Sequence, residues 1–186
     1  PSGTKAVAVS GGAVTVTGPQ GYCIDRSATR EGASGAFVLF GTCAALTRSA
    51  TAAQPARAAV LTASVGQPAA EGIDLAANLP AMAAFFRSVP GRAALSRSGN
   101  AATVRVEEVG QSGDALYIRL IDSAAAAGQS VEPAYWRALM PVRGRIVTLA
   151  VLSPAKAPLT SSEQRAVLDR FAARMRAANA GTGSTA

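Results

Sequence analysis

RIVTLAVLSPAKAPLTSSEQRAVLDRFAARMRAA, residues 145–178, begins as a strand and ends as a helix. Arg145 to Leu152 alternates yet is apolar on both faces, the pattern of a strand covered above and below and therefore central in its sheet. Thr160-Ser161-Ser162-Glu163 then has capping-box spacing: the Thr hydroxyl takes the N–H of the third helical residue while the Glu carboxylate reaches back to the N–H of the cap. Beyond it Val167, Leu168, Phe171 and Met175 recur at helical spacing, and Arg165, Arg170 and Arg174 point elsewhere. A buried strand feeding an amphipathic helix predicts a helix packed on a sheet.

Upstream, Thr103 to Val109 and Ala115 to Ile121 form a predicted hairpin around Gly110-Gln111-Ser112-Gly113. One face carries Val104, Val106, Leu116, Ile118 and Leu120, the other Arg105, Glu107, Tyr117 and Arg119. A second hairpin joins Val7-Ala8-Val9 to Val14-Thr15-Val16-Thr17 through Ser10-Gly11-Gly12, and Gly18-Pro19-Gln20-Gly21 turns the chain again. Ala36 to Phe40 is apolar on both faces and reads as a central strand; Ala58 to Val65 reads as another. Asp25 to Gly35 is polar and is expected to be a loop, as is 122–133, which lacks any periodicity and is expected to be mobile. A helix is predicted from Asp74, with Leu75, Leu79, Met82, Phe85 and Phe86 on one side, a break at Pro90-Gly91 and a short second piece from Arg92 to Arg97. Tyr135 to Met140 is expected to be a turn of helix or the entry to a strand. The resulting expectation is one α+β domain over residues 1–180, an antiparallel sheet of about six strands sandwiched by helices, with a flexible tail at 181–186.

The composition is 49% hydrophobic, but 43 residues are alanine, which contributes little burial, so the core must come from Val, Leu, Ile and Phe on the strands and two helix stripes. The two cysteines, Cys23 and Cys43, each lie at the border of an apolar segment. Bridged, they would contribute roughly 3 kcal/mol in the chain-entropy model; the alternative is a pair of buried thiols in a reducing compartment. The chain opens at Pro1 without a methionine, as a processed end does. Taken with the disulfide, this leads us to expect an exported, periplasmic or extracellular protein, and it is compatible with an upstream lipid anchor. The charge-free run between Glu31 and Arg48 is interrupted by Gly, Ser and Thr and is shorter than the ~20 apolar residues a spanning helix needs.

The net charge of +7 comes from sixteen scattered arginines and two lysines against eleven acids. Without a basic run or interleaved aromatics it argues against nucleic acid as a partner. Histidine is absent, which removes Ser-His-Asp and Cys-His chemistry and histidine metal sites; neither cysteine belongs to a CxxC motif, and no glycine-rich phosphate loop is present. Ser153-Pro154-Ala155-Lys156 matches the Ser-x-x-Lys spacing of penicillin-recognising enzymes, but prolines flank it and no partner motif accompanies it. We therefore expect no catalytic residues, no cofactor and no metal. The residues singled out for partner contact are Tyr135, Trp136 and Arg137, with the single tryptophan beside a cation, and Arg170 and Arg174 on the last helix; the competing reading buries Trp136 under the sheet.

The order of a Val-rich hairpin, Gly18-Pro19-Gln20-Gly21-Tyr22, a helix, a second hairpin, the strand Arg145 to Leu152 and the capped helix from Thr160 to Ala178 resembles the PsbP-like fold. That resemblance implies an antiparallel sheet between helices serving as an extrinsic binding or assembly module; Cys23 and Cys43 are not part of its pattern, and it assigns no functional residue. The expected function is a non-enzymatic accessory or interaction module with a protein partner in a larger membrane-associated assembly. The alternative is a small-ligand-binding or hydrolytic domain with its pocket between sheet and helix.

Overall fold

The structure is a computed structural model and describes residues 3–124 and 130–181. Among these residues nine strands form a two-stranded ribbon and a seven-stranded antiparallel sheet. The ribbon pairs β1 (Ala6–Val9) with β2 (Val14–Thr17). The large sheet has the order β3-β4-β5-β9-β8-β7-β6, built from β3 (Tyr22–Gly32), β4 (Gly35–Thr42), β5 (Val60–Pro68), β6 (Val104–Ser112), β7 (Ala115–Asp122), β8 (Ala134–Val142) and β9 (Arg145–Leu152). Two meanders meet where β5 pairs with β9. That places Arg145–Leu152 fourth of seven: Val147, Leu149 and Val151 are buried on the α4 side, whereas on the other face Ala150 and Leu152 are buried and Ile146 and Thr148 only half-buried.

Four α-helices are found among the described residues: α1 (Cys43–Thr47), α2 (Leu79–Arg87), α3 (Val89–Leu95) and α4 (Ser161–Asn179). α4 starts at the expected capping box, with Thr160 Oγ1 accepting from Glu163 N and the Glu163 carboxylate accepting from Thr160 N. Its apolar stripe, Val167, Leu168, Phe171 and Met175, is buried with Val38, Phe40, Leu61 and Leu149 from one face of the sheet. Asn179 at its last turn accepts from Thr15 N and donates to Thr15 O, at 2.9 and 2.8 Å, clamping the ribbon against the helix end. On the other face α2 and α3 cover β6 and β7, burying Leu79, Phe86 and Leu95 against Leu116, Ile118 and Leu120.

Several expectations are corrected. The large sheet has seven strands rather than about six. The polar run from Asp25 is mostly strand: β3 continues to Gly32, irregular between Asp25 and Arg30, because an edge strand needs backbone pairing but little burial. Of the two readings of Tyr135 to Met140, the strand is found and the turn of helix is not. The helix break falls at Ser88, whose hydroxyl accepts from Gly91 N, so Pro90 lies in the first turn of α3 instead of ending a helix. A side chain at Gly91 would collide with the Phe85 carbonyl, which is how the two helices turn so tightly. Residues 125–129 of the expected mobile loop and 182–186 of the expected tail lie outside the described residues.

Cys23 and Cys43 are bridged, joining β3 to the first residue of α1 with Cα atoms 4.8 Å apart. Among the described residues no helix is long and apolar enough to cross a membrane, a statement that does not extend to strands.

A candidate binding groove on the sheet

Successive residues of a strand point to opposite faces, and β8 uses this to divide Tyr135-Trp136-Arg137. Trp136 faces α4: it is buried, and its indole N–H donates to Ser161 Oγ at 3.0 Å. The Arg165 guanidinium lies 3.7 Å from the centroid of the Tyr117 ring and 5.0 Å from that of Trp136. Tyr135 and Arg137 face the other way, so the tripeptide is not one patch.

The register places Arg137 at one end of a row crossing the sheet. It pairs with Ala150 on β9, Ala150 with Thr62 on β5, and Thr62 with Leu39 on β4. A parallel row runs from Leu139 through Thr148 and Ser64 to Phe37. Because α2 and α3 cover only the β6–β7 side, these rows floor a groove of about 630 Å³. Val131 and Arg97 line it too. Arg97 is held there by its backbone, whose N–H donates at 2.9 Å to the fully buried carboxylate of Asp122 at the end of β7. The floor remains half-open, with Phe37 36% exposed.

Arg137 is the unusual group in this groove. Its Nη2 donates to the Tyr135 hydroxyl at 2.8 Å, and its guanidinium lies 5.5 Å from that ring's centroid. Its Nε is buried and makes no hydrogen bond. Among the described residues no carboxylate lies within salt-bridge distance of it and no Asp or Glu lines the groove. A cation taken partly out of water without a counter-charge costs free energy, against which the described residues set the Tyr135 hydroxyl and ring but no carboxylate.

The other expected contact residues lie elsewhere. Arg170 and Arg174 are on the outer side of α4, exposed and without a carboxylate at salt-bridge distance among the described residues. Arg174 and Lys5 line a second cavity, of about 550 Å³, beside the Cys23–Cys43 bridge. By contrast Arg165 pairs with Asp169 and Arg176 with Asp114, at 3.0 and 2.8 Å. Ser153 is buried, its hydroxyl accepting from Leu159 N at 2.5 Å, while Lys156 is exposed; that hydroxyl braces the turn into α4. Glu107 pairs with Arg119 and Arg105 at a bulge in β6.

Groove residues on β4, β5 and β9 were not singled out by reading the sequence. Their signal is the recurrence of Thr62, Ser64 and Thr148 at alternate positions in otherwise apolar strands, which marks one face as wetter than the other. Among the described residues no group of three or more His, Cys, Asp or Glu could hold a metal ion. Compared with known proteins, the chain matches no family model, no curated protein and no solved structure.

Proposed function

We propose that this protein is an exported, non-enzymatic binding module, an accessory component of a larger membrane-associated assembly, and that its working surface is the half-open face of the large sheet. The observation that carries the reading is the groove across β4, β5, β9 and β8, which combines a largely apolar floor with a cation that has no counter-charge among the described residues. Folds bury apolar surface and neutralise interior charge where they can, so an unfinished face of this kind is a place where a second molecule completes the packing. The disulfide supports residence in an oxidising compartment. The PsbP-like reading is in keeping with the order of elements and with the helix on the sheet.

The small-ligand alternative has one observation in its favour, the same Arg137 facing a groove of ligand size. Its hydrolytic form has less support, since no carboxylate converges on the groove and the Ser153 hydroxyl is engaged. Photo-crosslinking in cells tests the working surface. A crosslinker at Phe37 should give adducts that a crosslinker at Asp169, on the outside of α4, does not. Adducts from position 169 alone, or recovery of free monomer only from native membranes, would overturn the reading.

A further inference from the structure

We propose that the groove binds a free anionic amphiphile, a molecule with one carboxylate or phosphate head on an apolar chain, its head paired with Arg137 and its chain laid across the sheet toward Leu39 and Phe37. The inference rests on the half-open face being the working surface and adds the chemistry of what sits there.

Three features select this class. The first is charge: among the described residues Arg137 is the one charged side chain that the strands bring to the groove, with Arg97 lining it from outside the sheet; Arg137 has no acidic partner among those residues, and its Nε is already withdrawn from water, so a head group reaching its remaining Nη hydrogens supplies the missing negative charge. The second is shape. From Arg137 on β8 to Leu39 on β4 the row crosses three strand spacings, about 14 Å, over Ala150 and Thr62, whose small side chains leave room for a chain. Phe37 and Leu39 at the far end give it an apolar terminus, one exposed and the other half-buried. The third feature is backbone chemistry. Strands β4, β5, β9 and β8 are all paired on both sides, so the floor has no free strand edge on which a peptide could add a strand. A ligand with one polar head and no other hydrogen-bonding demand suits it better. The floor also lies beneath the level of α2 and α3, which favours a single molecule entering it over the flat head-group surface of a bilayer.

The test is calorimetric titration of the full chain with dodecanoate below its micelle concentration, with dodecanol, dodecyl phosphate, acetate and phosphatidylglycerol vesicles as further arms, and circular dichroism to verify that each variant folds. Saturable one-to-one binding of dodecanoate or dodecyl phosphate is expected. It should weaken about tenfold or more in Arg137→Met, which removes a charge-assisted pair, and should be lost in Thr62→Trp, which fills the floor. Arg137→Lys should recover part of it. Dodecanol should bind weakly and equally to wild type and Arg137→Met. Equal dodecanoate binding by wild type and Arg137→Met, or no saturable binding, overturns the proposal. So does vesicle binding that survives both Arg137→Met and Thr62→Trp, which assigns the affinity to a charged surface elsewhere. Adducts at position 37 without dodecanoate binding would remove the ligand class and leave the working surface standing; dodecanoate binding without such adducts would remove the accessory role alone.

Discussion

On the α4 side of the sheet Phe171 meets Phe40 edge-on at 5.3 Å, the Trp136 N–H has its acceptor, and Arg165 is both stacked on Tyr117 and paired with Asp169. On the opposite side, beyond the cover of α2 and α3, Phe37 on β4 is partly exposed and Arg137 Nε on β8 makes no hydrogen bond. The same β8 strand supplies both environments from adjacent residues. The difference teaches that stability is concentrated under α4, and that the half-open face was left with groups a stability-driven fold would have replaced.

The comparison can be broken most severely at Phe171. Phe171→Ala opens a cavity in the fully buried layer and should cost ~3–5 kcal/mol in denaturant melts; a loss under ~1 kcal/mol would mean that α4 is not the principal cover. Next comes the bridge at the β3 edge. Reduction, or the pair Cys23→Ser with Cys43→Ser, should lower stability by roughly 3 kcal/mol, and alkylation before reduction should modify neither thiol.

A sharper version uses neighbours in one strand. Trp136→Phe deletes a satisfied hydrogen bond on the finished face and should cost about 1 kcal/mol, whereas Arg137→Met, on the unfinished face, should leave the midpoint unchanged or raised, because it removes a half-buried charge lacking a counter-ion. A loss of about 2 kcal/mol or more for Arg137→Met would show that the cation is structural, and the contrast between the faces would fall.

The smallest effect is alkaline. Burial raises the Tyr22 and Tyr117 hydroxyls above the ordinary 10.0, with the Asp169 charge adding to the rise at Tyr117. The unfolded chain therefore ionises first. Their contribution is fully present below pH 10.0 and is lost as the pH rises through the raised native values. Melts across this range, with absorbance at 295 nm following the phenolates, should show a shallower decline in Tyr117→Phe than in wild type; identical slopes would contradict the burial of that ring.

Much of the architecture was legible residue by residue. The capping box at Thr160, the stripe ending at Met175, the 103–121 hairpin and the doubly apolar Arg145–Leu152 all rest on interactions within a few positions, and each is found where its spacing puts it. The misreadings occurred where local pattern and long-range demand diverge. The run from Asp25 to Gly32 looks like a loop because an edge strand tolerates polar side chains, and only the pairing of Asp25, Arg30, Glu31 and Gly32 with β4, on either side of an irregularity at 26–29, makes it strand.

The candidate site was less legible than the fold. Tyr135, Trp136 and Arg137 stand out by residue type, but whether they act together depends on which face each occupies, and the row from Arg137 to Leu39 joins positions nearly a hundred residues apart. Periodicity, caps, cysteine count and the absence of histidine were set by the sequence alone, because hydrogen bonding over three or four residues and side-chain chemistry are local properties. Tertiary structure alone decided that β5 lies against β9, that α2 and α3 stop short of β9, and that Arg137 faces an open floor, since strand register is settled by which distant apolar faces can be buried together.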